Sequence, residues 1–293
     1  MKYARLATVL LVVFSVGSAV FADWDPNTAD PRLATNHKMH FPQMPQMQPD
    51  PVNDLSGLNV RATAPKVVAD DFRCTWSGPI RDIHIWGSWL DDNFPQHEID
   101  DGAGPIITVP DPGFVGFHLS IHADIPAIAG EHSRPGNLLW EKDFFPGEFQ
   151  HRLWGTSVEG FFDPNQDEII GTDTQVIQYN FFLEDTEAFP QVKDTIYWLD
   201  VMALPLPEWD NQPVAPVWGW KTSADHWNDD SVYGDYDALG NPPTTWNELF
   251  DPRVLPGQTP VSLDQAFVIT PEPATMSLLC IGGLALLRRR RFR

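Results

Sequence analysis

The feature that most limits this chain is a two-residue alternation of side-chain character, repeated in short runs that proline and glycine interrupt. Ile83, Ile85, Gly87 and Trp89 fall on one face of an extended segment, with Asp82, His84, Trp86 and Ser88 on the other. Val115, Phe117, Leu119 and Ile121 alternate in the same way with Gly116, His118, Ser120 and His122. Residues 177–183, 197–203 and 263–269 repeat the period. Successive side chains of a strand point to opposite faces, so this period predicts strands; a helix needs apolar residues three and four apart. Turn signals stand between the runs, at Asp111-Pro112-Gly113, Arg134-Pro135-Gly136-Asn137, Pro146-Gly147 and Asp163-Pro164-Asn165. The 28 prolines and 20 glycines interrupt most helical candidates. The pattern predicts an all-β fold, an antiparallel β-sandwich of jelly-roll type over 62–270 that buries alternate side chains of two sheets. Its first run, 67–72, and its last, 267–269, are expected to pair.

Residues 23–61 lack periodicity. Pro42, Pro45, Pro49 and Pro51 predict an extended arm held by Trp24, Met39 and Phe41. Ahead of the arm, Lys2 and Arg5 precede an apolar segment and then Val20-Phe21-Ala22, the layout of a secretory signal peptide over 1–22.

The other end, 271–293, reads Pro271-Glu272-Pro273, an apolar run over 274–287, then Arg288, Arg289, Arg290, Arg291, Phe292 and Arg293. This order resembles the PEP-CTERM sorting signal of exported bacterial proteins. The resemblance implies exosortase and the export machinery as partners, delivery to the cell envelope, surface or extracellular matrix, and transient insertion in the inner membrane as a short helix. The arginine block holds the end cytoplasmic. The run is shorter than the ~20 residues that span a bilayer comfortably, which favours a processed signal over a lasting anchor.

Without both targeting ends the exported part carries a net charge of about −27, which disfavours nucleic acid and anionic lipid and favours cations or neutral ligands. Cys74 is its one cysteine, so no internal disulfide forms, and the residue reads as a small buried strand residue. The body also resembles uncharacterised exported β domains of PEP-CTERM proteins. The resemblance rests on Ala69-Asp70-Asp71-Phe72, Ile83-His84-Ile85-Trp86-Gly87-Ser88, Phe117-His118-Leu119-Ser120-Ile121-His122, Gly219-Trp220-Lys221-Thr222-Ser223 and His226-Trp227-Asn228-Asp229-Asp230. It implies one module and no established activity.

Three constellations carry chemistry. Trp220, Asp225, His226, Trp227, Asn228, Asp229 and Asp230 combine rings with hydrogen-bonding groups, as recognition of an extracellular polysaccharide requires. Asp163, Asn165, Asp167 and Glu168 offer oxygens to a structural calcium ion, without the spacing of an EF-hand. His118, His122 and Asp124, with His84 nearby, are the third. Residues four apart on a strand are about 13 Å distant, too far for His118 and His122 to share a metal. No nucleophile elbow, P-loop, dinucleotide or zinc-protease motif is present, so no catalytic residue is assigned. The leading expectation is a noncatalytic glycan- or matrix-binding module. The alternatives are a carbohydrate-active hydrolase or lyase using loop carboxylates, and a purely structural surface protein.

Overall fold

A computed structural model of the chain describes residue 24 and residues 37–49, 56–99, 102, 105 and 107–270. The signal peptide expected over 1–22 and the sorting segment expected over 271–293 lie outside the described residues. Regular structure among the described residues is strand, apart from 3-10 turns at Leu90–Asp92 and Pro207–Asn211. None of the described residues forms a helix long and apolar enough to cross a membrane.

Numbered in chain order, the strands fall into two principal sheets. The seven-stranded sheet runs, edge to edge, Asp264–Gln265 (β16), Trp218–Ser223 (β13), Leu58–Arg61 (β1), Phe149–Asp163 (β9), Glu168–Phe182 (β10), Asp82–Trp89 (β4) and Phe267–Ile269 (β17). The six-stranded sheet runs Asn247–Glu248 (β15), Val232–Asp235 (β14), Lys66–Arg73 (β2), Ile196–Leu204 (β12), Gly116–Ile125 (β7) and Arg134–Phe144 (β8). Two ribbons complete the set. Gly78–Ile80 (β3) pairs with Phe189–Gln191 (β11), and Gln96–Ile99 (β5) pairs with Ile107–Pro110 (β6).

The seven-stranded sheet does not stay open. β13 also pairs with β4, Trp218 opposite Trp89 and Trp220 opposite Gly87, so β13, β1, β9, β10 and β4 close into a small barrel. Gly87 permits this closure, because a Cβ there would lie 2.3 Å from the Trp218 ring. The barrel packs on the six-stranded sheet through aromatic side chains that the alternation had assigned to one face. Phe117 of β7 meets Trp218, Tyr179 and Phe181 at ring-centroid distances of 5.0, 4.9 and 5.5 Å. Each such ring stabilises the fold by about 1.5–3 kcal/mol through area removed from water, with a further increment from edge-to-face geometry. The far face of the six-stranded sheet carries a second, smaller core of Val67, Ala69, Trp198, Met202, Val232 and Trp246.

The all-β expectation holds, but the architecture is not clearly a jelly-roll sandwich, since five strands close on themselves and β1 lies parallel to β9. The expected pairing of the first and last runs is corrected: β17 pairs with β4, and Phe72 meets Phe267 edge-on across the core at 6.2 Å. β1 lies within the stretch read as an arm, because four residues without a long alternation suffice for a strand between two neighbours. Ahead of it the chain is extended, as its prolines require. Lys38, Gln43 and Gln46 donate their backbone N–H groups to Ile269, Phe267 and Thr222, which covers strand edges that would otherwise stay open. Met39 and Gln43 are fully buried there.

Gly87→Ala should therefore destabilise the protein by about 1–3 kcal/mol through overpacking against Trp218. Denaturant unfolding measures it, and a change below about 0.5 kcal/mol, the usual range for surface positions, would mean that the closure tolerates the methyl group.

Candidate functional site

β13 leads directly into the polar-aromatic segment singled out in the sequence, and the structure divides that segment in two. Trp220 lies inside. It is fully buried and its indole N–H donates to the Ala266 carbonyl at 2.9 Å, so it is corrected from ligand contact to core. Residues 225–230 form a surface loop tied down by Asp264 of β16, whose two carboxylate oxygens bond the His226 ring nitrogen and the Trp227 N–H, each at 2.7 Å. Trp227 is half-buried and stacks on His40 of the N-terminal arm at 4.0 Å with 14° between planes, beside the Arg73 guanidinium. One face of the ring thus fastens the arm. Asp225 is exposed and accepts from the Met44 N–H at 3.1 Å.

Asn228, Asp229 and Asp230 meet His132, Ser133 and Glu248 around a small cavity of about 130 Å³. Behind it lie buried carboxyls. Asn228 Nδ2 donates to Asp71 and to Asp229, and Asp71 Oδ1 is buried without a partner. Burial pushes the Asp71 carboxyl up to about 9 against the attraction of Asn228, with Asp229, Asp264 and Asp124 adding repulsion. Burial raises Asp70 and Asp264 as well, and for Asp70 the charges of Asp264 and Asp71 raise it further. Asp70 and Asp71 point to opposite faces of β2, Asp70 accepting from Gln43 Nε2 and the Gln265 N–H, and Asp71, raised to about 9, keeps its proton at neutral pH. No three His, Cys, Asp or Glu side chains among the described residues are grouped to hold a metal ion.

The loop considered for calcium is a hairpin turn between β9 and β10. Asp163 is committed elsewhere: its carboxylate accepts from Arg61 at 2.7 Å, from Gln166 at 3.0 Å and from the Asn165 N–H at 3.1 Å. Burial pushes this carboxyl up, but those donors outweigh it and hold the group below the usual range. Asn165 turns its amide to Asp235 at 2.9 Å, while Asp167 and Glu168 are exposed. The histidines are likewise satisfied separately. His118 bonds Asp143 at 2.6 Å, His122 lies 3.2 Å from Asp200, and His84 lies 2.9 Å from Asp82.

A larger cavity of about 530 Å³ escaped the sequence reading. It lies between the β5–β6 ribbon and the turn at Pro207–Asn211, lined by Gln96, His97, Glu98, Thr108, Phe114, Glu208, Asn211, Gln212 and Pro213. His97 stacks on Phe114 at 4.4 Å with 8° between planes, and Gln212 Nε2 is buried without a partner. Asp111 lies beneath, 3.7 Å from His97 Nδ1 and 3.4 Å from His151 Nε2. The available signal was weak: His97 lies in a four-residue strand and Phe114 just after the ribbon, and neither stretch carries a long alternation.

The fold and these surfaces define a class, an exported all-β module with a polar cavity and no recognisable catalytic motif. The chain belongs to the family described as a domain of unknown function, DUF7901, which it matches over residues 39–270, and it carries a PEP-CTERM protein-sorting motif over residues 270–291. That motif marks the protein for export to the cell envelope or surface and for processing by exosortase-type sorting machinery. No curated protein matches the chain.

The raised carboxyls dictate how stability varies with pH. The native state keeps protons on Asp71 that the unfolded chain releases, so this stabilisation is complete below the unfolded pKa near 4 and is lost as pH rises towards about 9. Asp173, pushed up to about 8, acts in the same direction, as do the raised His122 and His226. Asp163 has the opposite sign and withdraws support only in strong acid. Burial pushes His40 down to about 3, which adds stability as pH rises to about 6.5, so the melting temperature should fall from pH 7 to pH 9, and Asp71→Asn should raise stability at pH 9 by about 1–3 kcal/mol. A melting temperature that climbs with pH over this interval contradicts the assignment.

Proposed function

We propose that the protein is a noncatalytic module of the cell envelope or extracellular matrix that binds a polyhydroxylated polymer, an extracellular polysaccharide, in the cavity between β5–β6 and the Pro207–Asn211 turn. The observation that carries this reading is the cavity's chemistry. An aromatic stack of His97 and Phe114 stands beside amides and carboxylates, among them a buried Gln212 donor that lacks a protein partner. A sugar presents hydroxyls to such groups and an apolar ring face to such a stack. The volume falls within the usual range for small-ligand sites. The strong negative charge disfavours acidic polymers, so the reading is for a neutral glycan. Export by a cleaved signal peptide over 1–22, with transient hold in the inner membrane through 274–287, belongs to the same proposal. The exposed loop over 225–230 is a secondary contact.

A glycan array with the purified protein tests the proposal. Gln212→Ala should weaken a bound oligosaccharide about fivefold, the loss of one hydrogen bond of about 1 kcal/mol, and His97→Ala should weaken it by a similar factor while the melting curve is kept. Equal binding by wild type and both variants assigns recognition to another surface, and absence of any binding leaves the purely structural reading. Glu98 and Glu208 line the same cavity, which is the observation favouring a hydrolase or lyase. Release of sugar ends that Glu208→Gln abolishes would replace the binding reading with that one.

A further inference from the structure

Inside the barrel four polar side chains meet out of reach of water. Lys221 of β13, Asn59 of β1, Glu159 of β9 and Asp173 of β10 are each at most 2 % exposed. Asn59 and Lys221 are direct partners across the antiparallel β1–β13 pair, and Glu159 and Asp173 are direct partners across β9–β10. Direct partners have Cβ atoms about 4.5–5.5 Å apart, so lysine and asparagine side chains start from adjacent points. Glu159 Oε2 lies 2.5 Å from Lys221 Nζ and accepts from Asn59 Nδ2 at 3.2 Å, so one carboxylate oxygen touches both the amine and the amide. Asn59 Nδ2 also reaches Asp173 Oδ2 at 2.8 Å, while Asn59 Oδ1 is buried without a partner.

This arrangement is costly as a mere structural filler. A buried lysine and two carboxylates stabilise a core less than well-packed apolar residues of similar volume do. The same arrangement is well built for one reaction. Burial lowers the Lys221 pKa towards the neutral, nucleophilic amine, against the attraction of Glu159 and Asp173. Burial, and then the charge of Glu159, pushes Asp173 up to about 8, so it keeps a proton at neutral pH. The amide nitrogen of Asn59, the group that would leave, already lies against both carboxyls, 3.2 Å from Glu159 and 2.8 Å from Asp173.

We propose that Lys221 Nζ and Asn59 Cγ become joined by an isopeptide bond, a covalent cross-link between β13 and β1 that the barrel forms within itself. Lys221 gives a proton to Glu159 and its lone pair attacks Asn59 Cγ. The Asp173 O–H, which faces the amide nitrogen, donates a hydrogen bond to it as that nitrogen turns pyramidal in the adduct. The tetrahedral adduct collapses and expels the side-chain nitrogen, which takes the proton held by Glu159 and leaves as ammonia. One C–N bond forms and one breaks, with no change of oxidation state and no cofactor. An exported domain whose described residues include a single cysteine, the buried Cys74, gains in this way the restriction of a long loop, from 59 to 221, that a disulfide would otherwise supply. The bond is independent of glycan binding.

Mass spectrometry of the purified full chain decides the matter. The protein should be about 17 Da lighter than its own processed sequence, the mass of one ammonia, and trypsin should fail to cleave after Lys221. A branched peptide should join the segments containing Asn59 and Lys221 and survive denaturation and reduction. Lys221→Arg should restore the full mass, and so should Glu159→Gln in chains whose circular dichroism remains native. Linear peptides at full mass in the folded wild type overturn the proposal. A succinimide at Asn59 also overturns it: the mass loss is the same, but the peptides are linear and cleavage after Lys221 is intact.

Discussion

The Trp218 ring lies over Gly87 where β13 meets β4, in the space that any Cβ at position 87 would claim. Two consequences follow from that one close approach. β13 can pair with β4 as well as with β1, which turns the middle of a seven-stranded sheet into a closed barrel. The same indole then reaches Phe117 and Tyr179, which ties the barrel to the six-stranded sheet across a ring-filled core. Closure also creates an interior, and that interior isolates Lys221, Asn59, Glu159 and Asp173 from solvent. Without it these groups would sit on an open sheet face in water, and neither their mutual contacts nor the shifts of Lys221 and Asp173 would arise.

The alternation along residues 83–89, 117–121, 177–183 and 197–203 marked the faces that meet across the main core, while Trp86, Trp198 and Met202 on the opposite faces are buried too. Closure was not legible in that pattern. It depends on a register between β4 and β13, more than 120 residues apart in the chain, and on the absence of a side chain at Gly87. Short strands such as β1 and β16 were missed or shortened for a related reason, as two to four residues cannot display a period. Lys221 did carry a signal. It alternates with Trp218 and Trp220 in a strand buried along its whole length, so it had to face an enclosed polar space.

The candidate site was legible in part. Asn228, Asp229 and Asp230 do gather at a cavity, as a dense run of polar residues after a strand implies, with Asp71 buried behind them. Sequence could not say that Trp220 would be consumed by the core, that Trp227 would stack on His40, or that Arg61 would claim Asp163. All three outcomes depend on partners at least 46 residues away, supplied by the fold. The larger cavity was invisible because its walls come from three separate segments, none with a marked pattern of its own.

Native-state amide hydrogen exchange, read strand by strand, tests the dependence of the whole fold on the closed barrel. If the Trp218 junction unites the two parts, amides of β4 and β13 exchange only through global unfolding, with the same opening free energy and the same denaturant dependence as those of β7 and β12. Exchange of β4 and β13 at a clearly lower free energy, while β7 and β12 stay protected, would mean that the barrel opens alone and that the junction does not hold the domain together.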